Sequence, residues 1–153
     1  MEFITEVAID LPLEKVITIF DNTDNTYWWQ PGLKEITILE GEDRAEGAHY
    51  RMVFEGRKND LVVEETVLTR NLPGEYTTVN RSRGVENSVR NQFFSSGDGT
   101  TRWRTFNRYR FTGMMRWMAP FMKQAFKSNT LLIMERFKMF AENENRSSNQ
   151  KNP

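Results

Sequence analysis

The chain opens on strict alternation. In "EFITEVAID", Phe3, Thr5, Val7 and Ile9 share one face and Ile4, Glu6, Ala8 and Asp10 the other, the period of a half-buried strand. Leu11-Pro12 ends the pattern, and Pro12 suits the start of a helix. The period then lengthens: Leu13, Val16, Ile17 and Phe20 recur at helical spacing. Asn22-Thr23-Asp24 interrupts that helix, and Asp24 is a candidate cap for a second short one carrying Tyr27, Trp28 and Trp29. Pro31-Gly32 stops it. From Leu33 to Phe111 six further strand-like runs follow, separated by Gly41, by Lys58-Asn59, by Pro73-Gly74, by Gly84 and by Gly97-Asp98-Gly99. Sequential strands on short connections predict an antiparallel meander.

Gly113 marks a return to helical spacing. Met114, Met118, Phe121, Met122, Ala125, Phe126, Leu132, Ile133, Phe137 and Phe140 form a broad apolar stripe to about Ala141. Pro120 lies inside it and predicts a kink or a short preceding helical turn near it. The pattern therefore predicts one α+β domain over 1–142: a strand, two short helices, six strands and one long helix covering the apolar face of the sheet. The polar end, 143–153, is expected to be disordered.

Charge changes this picture little. Lys+Arg and Asp+Glu balance at 21 each, but residues 1–65 are net −9 and 81–127 net +8. Interspersed with apolar alternation, these charges suit two attracting faces of one fold. There is no cysteine and a single histidine, His49, which excludes disulfides, thiolate metal sites and a histidine-rich metal centre. No phosphate-binding glycine loop is present, so no cofactor and no metal is expected. The acidic N-terminus is unlike a signal peptide, and no apolar run approaches membrane-spanning length. A cytoplasmic protein without stable membrane insertion is the expectation.

The order of elements, with "EVAIDLPLEKVITIFDN", "YWWQPGLKEITILEGE", "DLVVEETVLTRNLPGEY" and the closing "GDGTTRWRTFNRYRF…MAPFMKQAFK", resembles the START/birch-pollen-allergen superfamily (SRPBCC), in its polyketide cyclase/dehydrase-like branch. The resemblance spans roughly 1–142. It implies a helix-grip fold: a curved seven-stranded antiparallel sheet wrapped around the long C-terminal helix, with a cavity between them. It implies no transferable catalytic residues, because the superfamily includes carriers, cyclases and chaperone activators.

In such a fold the last strand lies between the first and the sixth. Its alternating Arg102, Arg104, Arg108 and Arg110 then face solvent beside Glu6, Asp10 and Glu86, a paired outer wall and not a nucleic-acid stripe. Phe106, alone among them, offers a contact for a partner chain. The opposite parity sends Trp103, Thr105, Asn107, Tyr109 and Phe111 inward, with Val85, Asn87, Val89, Asn91 and Phe93 from the sixth strand. A two-residue turn at Lys58-Asn59 would set Met52 opposite Glu65 and Tyr50 opposite Val67, leaving Glu65 interior and Glu64 exterior. A dry core seldom accepts so many amides and a carboxylate. Either the interior is a cavity for a polar-headed molecule, or a bulge turns these residues outward.

The candidate ligand-binding set is therefore Trp28, Tyr50, Met52, Glu65, Asn87, Asn91, Trp103, Thr105, Asn107, Met118 and Met122. Glu65 and Tyr50 are the candidate catalytic groups, with a structural carboxylate as the alternative for Glu65. His49 is expected to point outward. The methionines with Trp117 and Phe121 suit a pliable ligand wall, ordinary core packing, or an exposed surface for homodimerisation or membrane touching. Three readings follow: a binder of a small hydrophobic or amphipathic molecule (lipid, isoprenoid or polyketide-like), a cyclase/dehydratase-type enzyme, and an interaction module of the chaperone-activator type.

Overall fold

In the computed structural model, which describes residues 1–151, the alternating segments form one sheet. Its strands are β1 (Glu2–Ile9), β2 (Leu33–Glu40), β3 (His49–Phe54), β4 (Leu61–Asn71), β5 (Glu75–Ser82), β6 (Val85–Ser95) and β7 (Thr101–Phe111). All pairs are antiparallel, in the order β1-β7-β6-β5-β4-β3-β2. Helices α1 (Leu13–Phe20) and α2 (Thr26–Trp29), with a 3₁₀ turn at Thr23–Asn25 between them, follow β1, and α3 (Met115–Lys151) follows β7. The 3₁₀ turn is capped by Asn22, whose side chain accepts from the Asp24 N–H at 3.0 Å, so Asp24 is not the cap.

Period two is realised literally in β1, where Phe3, Thr5, Val7 and Ile9 are buried and the residues between them exposed. Val16 and Phe20 of α1, Trp29 of α2, and Met134, Phe137 and Ala141 of α3 close over that face. Phe20 is the hub of the core. Its ring lies 4.9 Å from Phe93, 5.8 Å from Trp103 and 6.0 Å from Phe137, within the range of favourable aromatic pairing.

The outer wall is paired as expected along most of its length. Glu6 bridges Arg102 (3.4 Å) and Arg104 (2.8 Å), Glu2 meets Arg108 (2.6 Å), and Glu86 meets Arg110 (3.9 Å). Phe106 lies between the Arg90 and Arg108 guanidiniums, 5.4 and 5.9 Å away. Asp10 departs from the pattern: it lies past the end of β1 and meets α3, its N–H bonding the Glu142 carboxylate at 2.9 Å.

Two expectations need correction. The β3–β4 connection is not a two-residue turn but residues 55–60, because Phe54 pairs with Leu61. Gly56 permits it: a Cβ there would fall 2.0 Å from the Asn59 carbonyl oxygen. Tyr50 consequently faces Glu65, and Met52 faces Val63. A shift of two residues preserves side-chain parity, so Glu65 stays interior while Glu64 stays exterior, 3.3 Å from His49 Nε2. Second, helix α3, helical through Pro120, does not stop near Ala141 but continues to Lys151, so 143–151 are helical; residues 152–153 lie outside the described residues. Polarity prevents burial of that segment but not helix propagation from a nucleus already fixed at Phe137 and Ala141. Lys15 Nζ, donating to Asn145 Oδ1 at 2.9 Å, ties the extension to α1.

Candidate ligand cavity

Between the inner face of the sheet and α3 lies a cavity of about 700 Å³. The floor comes from alternate residues of β3 to β7, the helical side from Met115, Phe126, Asn129, Thr130, Ile133 and Met134, and the inner end from Phe20, Trp29 and Arg44. Most of this lining is apolar, with a minority of polar groups, the usual character of a small-molecule site.

The polar groups fall into two clusters. In the first, Asp21 at the end of α1 receives a two-pronged bond from Arg70, Nη1 and Nη2 each 2.5 Å from a carboxylate oxygen, and a third from Arg44 Nε at 3.3 Å. Burial works to raise the Asp21 carboxyl, but the bonds and charge of Arg70, then those of Arg44, outweigh it and hold the group below its ordinary value. Arg44 sits in left-handed backbone conformation, φ 65°. This aims its guanidinium over Phe20 and Tyr76, 4.9 and 4.4 Å from their ring centres. Its N–H donates to the Tyr50 hydroxyl at 2.6 Å, which itself donates to Asp43 Oδ1 at 2.8 Å. Burial, with Asp43 adding to it, pushes the Tyr50 phenol up to about 12.

Glu65 stands across the strand from Tyr50 and lines the cavity. Burial raises its carboxyl above the ordinary range, opposed by the Arg44 charge and by hydrogen bonding to Thr78 and Asn80. Tyr76, beside Arg44, is raised further than Tyr50, again chiefly by burial.

The second cluster is a directional chain. Asn87 Nδ2 donates to Asn107 Oδ1 at 3.4 Å, and Asn107 Nδ2 to Thr105 Oγ1 at 2.9 Å. Thr105 and Thr5 hydroxyls meet at 2.7 Å, and Thr5 ends the chain on Met134 Sδ at 3.2 Å. Nearby, Asn91 is fully engaged, donating to the Tyr76 carbonyl and accepting from Trp103 Nε1, both at 3.1 Å. Three buried polar atoms on the cavity wall make no hydrogen bond within the described residues: Trp29 Nε1, Tyr76 Oη and Asn87 Oδ1.

The structure gathers eight of the expected residues around this space: Tyr50, Met52, Glu65, Asn87, Asn91, Trp103, Thr105 and Asn107. Three stand apart. Trp28 is 69% exposed and stacks on Phe140, rings 6.5 Å apart, while its neighbour Trp29 turns into the core. Met118 is exposed and Met122 half-buried, and neither is among the residues of α3 that line the cavity, Met115, Phe126, Asn129, Thr130, Ile133 and Met134. Tyr50 lines the wall, but its hydroxyl is committed to Asp43 and Arg44, so it lacks the free proton a catalytic role requires. Arg44, Tyr76 and Trp29 went unrecognised as site residues. Arg44 lies in a loop without periodicity, whereas Tyr76 follows the alternation of "EYTTVNRS" that β5 shares with its neighbours.

No protein-family model matches the chain, and no curated protein matches it either. Solved structures do. A START superfamily protein from Mycobacterium smegmatis superimposes with TM-score 0.75 at 14% identity, covering 93% of this chain and 97% of the other. The Zhui aromatase/cyclase from Streptomyces sp. R1128 gives 0.78 at 12%, covering 97% of both. Ara h 8.0201 gives 0.76 at 16%, covering 94% and 98%. The chain has the START-like helix-grip fold. In this chain the buried residues of α3 lie toward one end, at Met134, Phe137 and Ala141, and the half that precedes them borders the cavity with Phe126 packed on Tyr109.

Proposed function

We propose that this helix-grip domain binds one small amphipathic molecule in the cavity, apolar body against Met52, Phe54, Val63, Phe126 and Ile133, polar end toward Tyr76 and Arg44. The observation that carries this reading is the trio of unpartnered buried atoms on residues that line one cavity. Each such group costs about 1–3 kcal/mol unless something completes it. Trp29 Nε1 requires an acceptor, Asn87 Oδ1 requires a donor, and the Tyr76 hydroxyl takes either. A molecule bearing both a carbonyl and a hydroxyl satisfies all three. A volume of about 700 Å³ is ample for such a ligand.

A second reading, proton-transfer chemistry of the cyclase/dehydratase type, is favoured by Glu65. A carboxyl raised by burial beside a ligand's carbonyl is suited to general acid–base work. Tyr76, and not Tyr50, is the phenol left free to act with it.

Titration with 8-anilino-1-naphthalenesulfonate, an amphipathic fluorophore, tests the binding reading. Saturable one-to-one binding that weakens in Asn87→Leu and Tyr76→Phe is expected. Absence of binding in the wild type, or identical affinity in both variants, contradicts it.

A further inference from the structure

Helix α3 carries a second pattern that the cavity does not use. Met114, just before the helix, and Met118, Phe121, Ala125, Ser128, Leu132, Glu135 and Met139 on it follow one another at alternating steps of four and three. All eight are exposed, Met114 by 84%, Phe121 by 89% and Met139 by 62%. This is the narrow heptad seam along which two helices supercoil, and not the broader stripe of a helix lying on its own core. The domain-facing residues Phe126, Ile133, Met134 and Phe137 lie elsewhere on the helix circumference. The same chain thus writes two faces on one helix.

We infer that this seam pairs with the seam of a second copy of the chain, the two α3 helices running antiparallel. The inference is independent of whether the cavity binds a ligand. Antiparallel pairing makes the stripe complementary to itself, as a two-fold interface requires. Phe121 of one copy meets Leu132 of the other, and Met114 meets Met139. The small residues Ala125 and Ser128 meet at the centre, where the helices must approach closest. Glu135 falls opposite Met118 near each end, where its carboxylate reaches water. The seam is about 39 Å long at the helical rise, and a helix pair of that length buries on the order of the 800 Å² per partner found in stable dimers.

Two further observations select this occupant. None of the α3 residues from Met115 to Ile133 is fully buried: Phe126 packs on Tyr109 and Phe111, 4.6 and 5.7 Å between ring centres, and the seam on the other side of the helix is left uncovered. A second copy supplies that cover. The alternative, an anionic bilayer, needs a basic collar beside the apolar stripe. Here Arg116, Lys123 and Lys127 sit on the opposite side of the helix from the seam; Arg136 beside it is a single base next to the acidic Glu135, not a collar.

Sedimentation equilibrium of the full chain at about 100 µM, above the micromolar range expected of interfaces this size, gives a dimer on this account. Phe121→Glu combined with Leu132→Glu, both on the surface, weakens association by on the order of 100-fold, while circular dichroism shows an unchanged fold. Because the chain has no cysteine, orientation is testable directly. Oxidising a mixture of Phe121→Cys and Leu132→Cys chains yields cross-linked pairs of unlike chains, whereas each alone stays monomeric on a denaturing gel. The two copies of position 121 would lie about 16 Å apart by helical rise, beyond disulfide reach. A wild-type monomer overturns the inference. So does a dimer insensitive to the double variant, cross-linking of like chains alone, or a monomer that co-sediments with phosphatidylserine vesicles.

Discussion

Glu65 and Tyr50 face each other across neighbouring strands, yet they serve the cavity differently. Tyr50 both gives and receives a hydrogen bond in the loop that follows β2, through Asp43 and Arg44. Glu65 keeps its carboxyl on the cavity wall, where burial favours the neutral form. Substituting Tyr50 therefore perturbs a scaffold, and substituting Glu65 perturbs a site. Tyr50→Phe strips the Arg44 N–H of its acceptor and Asp43 of a donor, which lowers stability by about 1–3 kcal/mol in chemical denaturation.

The raised Glu65 carboxyl gives stability a pH dependence of known sign. Its folded value lies above the ordinary 4.5, so the native state binds this proton more tightly than the unfolded chain. The contribution is complete below the unfolded value and is lost as pH rises through the folded one. Urea unfolding of wild type and Glu65→Gln between pH 4 and about pH 8 will show the wild type losing stability relative to the variant with rising pH. Parallel curves would mean that the carboxyl does not titrate differently on folding.

Asp21 gives the opposite dependence. Held below its ordinary 3.8 by Arg70 and Arg44, it stabilises the fold above that value and stops doing so as pH falls through the folded one. Asp21→Asn leaves two guanidiniums without their carboxylate, one of them buried against Phe20 and Tyr76. A loss of about 2–3 kcal/mol at neutral pH, shrinking in acid, is expected in the same assay.

The asparagines separate into structure and site. Asn91→Leu strands the Trp103 indole N–H and removes a bond to the Tyr76 carbonyl, which lowers stability by about 1–3 kcal/mol. Asn87→Leu removes an acceptor that has no partner within the described residues and a single long bond, 3.4 Å to Asn107 Oδ1, so it lowers stability less than Asn91→Leu while ligand affinity falls. Thermal melts paired with fluorophore titration distinguish the two. Equal destabilisation by both substitutions would contradict the division.

Legibility in the sequence followed periodicity. The strands, the interior parity of Asn87, Asn91, Thr105 and Asn107, and the charged exterior of β7 all follow from alternation, which survived even a two-residue error in the β3–β4 register. Failure came where one residue type suits two environments. Met118 and Met122 belong to an apolar helix, but apolarity does not say which of its positions line the cavity and which stay outside it. Trp28 and Trp29 are chemically identical neighbours, and only the placement of α2 against Phe137 and Trp103 decides which is buried. Arg44 depends on a loop conformation that no local pattern announces.

If the cavity wall completes its hydrogen bonds on a bound molecule, Tyr76→Phe moves two quantities in opposite directions. Removing a buried hydroxyl that has no protein partner holds or raises the stability of the ligand-free fold, while the bound state loses a contact. Native mass spectrometry of freshly purified wild type, with organic extraction of whatever it carries, is the decisive measurement. The account predicts a defined small-molecule adduct bearing both apolar and oxygen functions, and a diminished adduct on an equally stable Tyr76→Phe protein. A bare polypeptide mass for the wild type, unchanged after incubation with fatty acids, isoprenoids and aromatic polyketides, would contradict it.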